Sequence, residues 1–114
     1  MSSFEDLQVW QRSKTLAVQV IKGMEASKKY SLKDQITRSA ISVPSNLAEG
    51  AERKGSKEFA NFISYSSGSI AELITQLMIA EEIGEISKSN AQMWITESRE
   101  ISKMLYALRK SLIS

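Results

Sequence analysis

Cysteine and histidine are both absent from this 114-residue chain. Their absence removes disulfides, thiolate metal sites, cysteine nucleophiles, the usual zinc ligands and every histidine-dependent triad. The side chain that most often serves as general base near neutral pH is missing as well. An oxygen-ligated magnesium site has no motif behind it, and no metal or cofactor is expected. Proline occurs once and glycine five times, so the chain has little of the punctuation that separates short strands and long loops. No apolar run approaches the about 20 residues that a membrane helix needs. The opening MSSFEDLQVW has neither a basic leader nor a long apolar core, and the expected compartment is the cytoplasm. The length suits a single domain over residues 1–114. A domain of that size hides about two thirds of its unfolded surface, enough for a core without staples.

Charge of one sign is also in short supply: 15 Lys and Arg stand against 13 Asp and Glu. Met1 to Lys57 holds 10 of the basic and 6 of the acidic residues, whereas Glu58 to Ser114 holds 5 and 7. The total is too balanced for a strongly basic nucleic-acid module, yet it leaves room for a local basic face.

What the chain does have is helical periodicity, four times over. The first segment runs from about Glu5 to Ser27, opened by Ser3 and Asp6 as a capping box, with Leu7, Trp10, Ala17, Val20, Ile21 and Met24 on one face. The second opens at Ser31, with Asp34 three residues on, and closes before Gly55. In it Leu32, Ile36, Ala40, Val43 and Leu47 step by three and four straight through Pro44 without losing phase. An interior proline costs roughly 3 kcal/mol or more, so the reading is a kinked helix whose surroundings offset that cost. Ser56 is expected to cap the third segment, which carries Phe59, Phe62, Ile63, Ser66, Ile70, Leu73, Leu77 and Ala80 and stops at Gly84. The fourth begins near Ser87 and presents Ala91, Trp94, Ile95, Ser98, Ile101, Leu105, Leu108 and Leu112. No stretch sustains strand alternation. Short links between helices each roughly 30 Å long predict an all-α, antiparallel up-and-down four-helix bundle.

Helix two has a second organised face, formed by Arg38, Ser42, Ser45, Glu49 and Arg53, and two faces imply two environments. Arg38, Asn46, Glu49 and Glu72 are read as a polar network fixing helix two against helix three, with Arg38 donating a fork of hydrogen bonds to a carboxylate. The alternative makes Glu49 and Glu72 a carboxylate pair for magnesium or for acid–base work. Small residues Ala40, Ala48, Gly50, Gly68 and Ala71 suit close helix approach better than a pocket. Trp10 and Trp94 lie on core stripes, so burial is preferred to base stacking. Arg53, Lys54 and Lys57 surround Gly55, and Lys28, Lys29 and Lys33 surround the first link. In an up-and-down bundle these two basic clusters occupy opposite ends.

FEDLQVWQRS at Phe4 to Ser13, LKDQITRSAISVPSNLAEG at Leu32 to Gly50 and SKEFANFISYSSGSIAEL at Ser56 to Leu73 resemble the four-helix bundle proteins encoded in intervening sequences of bacterial large-subunit ribosomal RNA genes. The most specific matches are Gln35, Arg38, Ser39, Ser42, Pro44, Asn46, Glu49 and Gly50, followed by Gly68, Ser69 and Glu72. The link at Lys28 to Ser31 keeps Tyr30 but lacks the proline associated with the family. The resemblance implies a ring-shaped homopentamer. It also implies kinship with the accessory variability proteins of diversity-generating retroelements, which bind nucleic acid and a reverse transcriptase. In such a ring three basic residues per subunit become fifteen charges, enough to neutralise several phosphates. The expected function is therefore a non-enzymatic scaffold that binds RNA or DNA through Arg53, Lys54 and Lys57 without reading sequence. Its rival is a protein-interaction adaptor using exposed Ile41, Ile79 or Met93.

Overall fold

The computed structural model describes residues 3–113. A 3-10 turn at Phe4–Asp6 leads into α1 (Gln8–Gly23), α2 (Tyr30–Ala51), α3 (Ser56–Glu82) and α4 (Lys88–Ile113), and no strand occurs among the described residues. The molecule measures 43 × 20 × 20 Å. A helix the length of α3, at about 1.5 Å per residue, accounts for the long axis.

The first segment does not form one helix from Glu5 to Ser27. The Ser3–Asp6 capping box forms, but it closes on a 3-10 turn: the Glu5 amide donates to Ser3 Oγ at 3.2 Å and the Ser3 amide to Asp6 Oδ2 at 3.2 Å. Leu7 then adopts extended backbone, and α1 starts after it. Gln11 Nε2 covers the Glu5 carbonyl at 2.8 Å, so the break leaves that acceptor satisfied. Ala17, Val20 and Met24 of the stripe read from sequence are buried. Val9 and Leu16, outside the stripe read from sequence, are buried, whereas Leu7 and Trp10 are only half-buried.

Two expected caps are not made. α2 begins at Tyr30 with no side-chain cap, in place of a box from Ser31 to Asp34. Gly55, at φ +100°, precedes α3, and Ser56 is its first residue, not its cap. The end of α3 matches the sequence. Gly84, at φ +80°, donates to the Glu81 carbonyl at 3.0 Å, and Glu85 donates to that of Ala80 at 2.8 Å, which is the paired-bond closure a glycine permits. Ser87 Oγ accepts from the Asn90 amide at the start of α4.

α2 runs unbroken through Pro44, which is buried. At the residue just before it, Val43, the carbonyl accepts from the hydroxyl of Ser66 of α3, fully buried, at 2.8 Å. Packing supplies what propensity does not. Gly50 lies so close to α3 that a Cβ there would sit 2.5 Å from Phe62 Cβ. One apolar cluster unites the four helices through residues such as Val20, Ile36, Leu47, Leu73, Leu77, Trp94, Ile101 and Leu105. Partners along the seams pair late with early positions: Ser42 with Ser69, Val43 with Ser66 and Gly50 with Phe62. A Ser27–Glu85 hydrogen bond ties the first link to the third.

Candidate nucleic-acid interface

The turn between α2 and α3 is built by its backbone. Glu52 donates to the carbonyls of Ala48 and Glu49, and Arg53 donates to that of Gly50. Gly55 then takes a left-handed φ that other residues rarely adopt. Both Lys54 and Lys57 are exposed. Neither forms an ion pair among the described residues. Arg53 is differently placed. Its Nη2 binds Glu49 Oε1 at 2.8 Å, and its guanidinium lies 5.1 Å from the Phe62 ring centroid. Phe62 in turn meets Tyr65 edge-on at 5.4 Å. Glu49 offsets part of the Arg53 charge, so the positive charge of this turn that has no ion-pair partner among the described residues rests with Lys54 and Lys57. Exposed Glu52 and Glu58 flank them.

The structure divides the Arg38, Asn46, Glu49 and Glu72 set. Arg38 and Glu72 line one polar groove of about 360 Å³ between α2 and α3, with Gln35, Ser39, Ser42 and Ser69. No ion pair joins Arg38 to a carboxylate among the described residues, so the expected fork is not made. Serines bridge the helices in its place. Ser42 Oγ and Ser69 Oγ are 2.8 Å apart, and Asn46 Nδ2 donates to both the Ser42 carbonyl and its hydroxyl at 2.9 Å. Short hydroxyls reach across a seam of small residues where a long guanidinium would force the helices apart. Glu49 points instead to Arg53, four residues on.

Sequence reasoning missed a second polar clasp. Arg12 Nε and Nη2 grip the Glu97 carboxylate at 2.8 and 2.6 Å, joining α1 to α4. That hydrogen bond, opposed by burial, holds the guanidinium pKa above its ordinary value. The pair closes one side of a cleft of about 570 Å³ that also involves Leu16, Gln19, Gln92 and Met93. Heptad-like spacing on either helix alone carries no sign of a partner 85 residues away. Trp94 is buried as expected, with the end of α1 at Gly23 against its ring. Trp10 sits at the edge of the core, edge-on to Phe4 at 5.1 Å, with Lys14 Nζ 5.5 Å from its centroid.

Residues 5–107 match the model of the 23S rRNA-intervening sequence protein family. The chain belongs to that family. Within this family's fold, the chain is similar to a crystal structure of a protein of unknown function from the S23 ribosomal protein family of Bacteroides thetaiotaomicron VPI-5482. The likeness has a TM-score of 0.85 at 22% identity and covers 90% of this chain and 98% of that one. At that identity the likeness is one of fold. No curated protein matches the chain. No helix among the described residues of this intervening-sequence protein is long and apolar enough to cross a membrane.

Proposed function

We propose that this 23S rRNA-intervening sequence protein is a non-enzymatic, cytoplasmic scaffold that assembles as a ring of five antiparallel up-and-down bundles and binds RNA or DNA phosphates without reading sequence. Arg53, Lys54 and Lys57 form the contact surface. The observation that carries the reading is the exposure of Lys54 and Lys57 on a turn fixed by Gly55, beside an Arg53 already held by Glu49 and Phe62. The seam pairings and the link-to-link Ser27–Glu85 bond support the up-and-down order. Because Glu52 and Glu58 flank the turn, its field does not extend far, and attraction depends on close contact. Fivefold repetition compensates by presenting ten unpaired lysines to one polyanion. Each phosphate contact contributes about 0.9 to the slope of log K against log salt on duplex DNA.

The test combines solution mass by light scattering with fluorescence anisotropy of structured RNA and duplex DNA across a salt series. Binding that steepens toward low salt, and weakens in a Lys54→Glu/Lys57→Glu variant of unchanged mass, is expected. Unchanged affinity in that variant overturns the assignment of the surface, and a monomeric mass at micromolar concentration overturns the ring.

A second reading, an adaptor that recruits another polypeptide, is favoured by one specific observation. Ile41, Ile79 and Met93 are 45, 46 and 53% exposed, and Met93 lines the α1–α4 cleft. Retention of one stoichiometric protein by the native ring, lost in a Met93→Lys variant, is the outcome that selects it.

A further inference from the structure

The division of charge by halves conceals a sharper one. Residues 99–113 contain Arg99, Lys103, Arg109 and Lys110 against Glu100 alone, a net charge of +3, so the rest of the chain is left at −1. Every residue of the series Arg99, Lys103, Tyr106, Lys110 and Ile113 is exposed, and the steps of four, three, four and three place them in one stripe along α4. In the middle stands Tyr106, 70% exposed and the most exposed large apolar side chain of the described residues. Its ring meets no other ring among those residues. Tyr106, Arg109, Lys110 and Ile113 enclose a shallow pocket of about 160 Å³ at its edge. Arg99 makes no ion pair among the described residues, and Lys103 has only a long contact to Glu100, 3.8 Å. The buried Nε of Arg109 has no hydrogen-bond partner.

We infer that this stripe of α4 is a binding site for single-stranded nucleic acid, with Tyr106 as a stacking platform for a base and Arg99, Lys103, Arg109 and Lys110 contacting the flanking phosphates. The inference rests on the nucleic-acid reading above but assigns a different surface and a different ligand form. An aromatic ring with cations on both sides along one track supplies the two elements, base stacking and backbone charge, by which single strands are held without sequence readout. From Arg99 to Lys110 the helix rises about 16 Å, the length of about five stacked nucleotides at 3.4 Å each. Duplex DNA offers no free base face to the ring. A lipid surface fits less well, because the apolar side of α4 is spent on the core: Trp94, Ile101 and Leu105 are all buried.

The probes are fluorescein-labelled dodecamers of oligo-dT and oligo-U, a duplex of equal length, and anionic phosphatidylserine vesicles, each titrated at low salt. Tyr106→Ser is expected to weaken single-strand binding by about 5- to 150-fold, the range spanned by loss of one base–aromatic stack. Tyr106→Phe, which keeps the ring, is expected to bind within twofold of the native protein, and Lys103→Gln to lower the salt slope by about 0.7. Both positions are exposed, and a circular-dichroism melt confirms that each variant folds. Single-strand affinity unaffected by Tyr106→Ser overturns the site. If the Lys54→Glu/Lys57→Glu variant still loses affinity, the nucleic-acid reading survives without this site. Native protein that binds none of the oligonucleotides overturns both. Vesicle binding lost in Tyr106→Ser with oligonucleotide binding intact overturns the ligand and identifies a lipid surface.

Discussion

Two glycines in neighbouring helices respond to the same substitution with opposite sign. Gly50 and Gly68 both lie within helices, and neither has a positive φ. A methyl group at either lowers the entropy of the unfolded chain and raises helix propensity, by up to about 1 kcal/mol. At Gly68 nothing lies within 4 Å of the added Cβ, so Gly68→Ala keeps that gain. At Gly50 the new carbon would sit 2.5 Å from Phe62 Cβ and 3.0 Å from Phe59 Cδ1. Phe62 Cβ moves only with the α3 backbone, so rotation of the ring does not relieve the contact. α2 and α3 must separate by about 1 Å, against a densely packed seam, and overpacking of this kind costs about 1–3 kcal/mol. Subtracting one variant from the other largely cancels the propensity gain and leaves the steric cost. With an unfolding entropy of roughly 0.24 kcal/mol/K for a chain of this length, the two melting temperatures separate by about 4–12 °C. Thermal melts by circular dichroism, at one fixed protein concentration so that any assembly contributes equally, read the difference. Equal melting temperatures refute the claim that the α2–α3 approach is limited by Gly50.

Buried serines supply a second comparison. Ser98 is fully buried and its hydroxyl has no partner, so Ser98→Ala is expected to raise stability by about 1 kcal/mol in urea denaturation. Ser66→Ala, which removes the bond to Val43, is expected to lower it by about 1 kcal/mol. The Arg12–Glu97 clasp is bidentate but about one third exposed at each side chain, and solvent screening limits its contribution to about 0.5–1 kcal/mol. A double-mutant cycle with Arg12→Ala and Glu97→Gln measures that coupling, and a value indistinguishable from zero removes the clasp as a stabilising contact.

The apolar steps of three and four residues determined the four helices, the passage of α2 through Pro44 and the glycine closure of α3, because each depends on neighbours within one or two turns. Most of the core followed for the same reason, and the clustering of Arg53, Lys54 and Lys57 about Gly55 was legible as composition. Caps were less so. Ser31 and Ser56 have the right chemistry at nearly the right place, but the backbone entering each helix left those hydroxyls unused. The tertiary structure decided everything that depends on contact between distant segments. It took Glu49 from the expected network and gave it to Arg53, linked Ser42 to Ser69 where Arg38 was expected to act, and joined Arg12 to Glu97. Sequence spacing states which residues share a helix face. Which residue of another helix lies opposite is set by how closely two backbones approach, and here a glycine and short hydroxyls fix that distance.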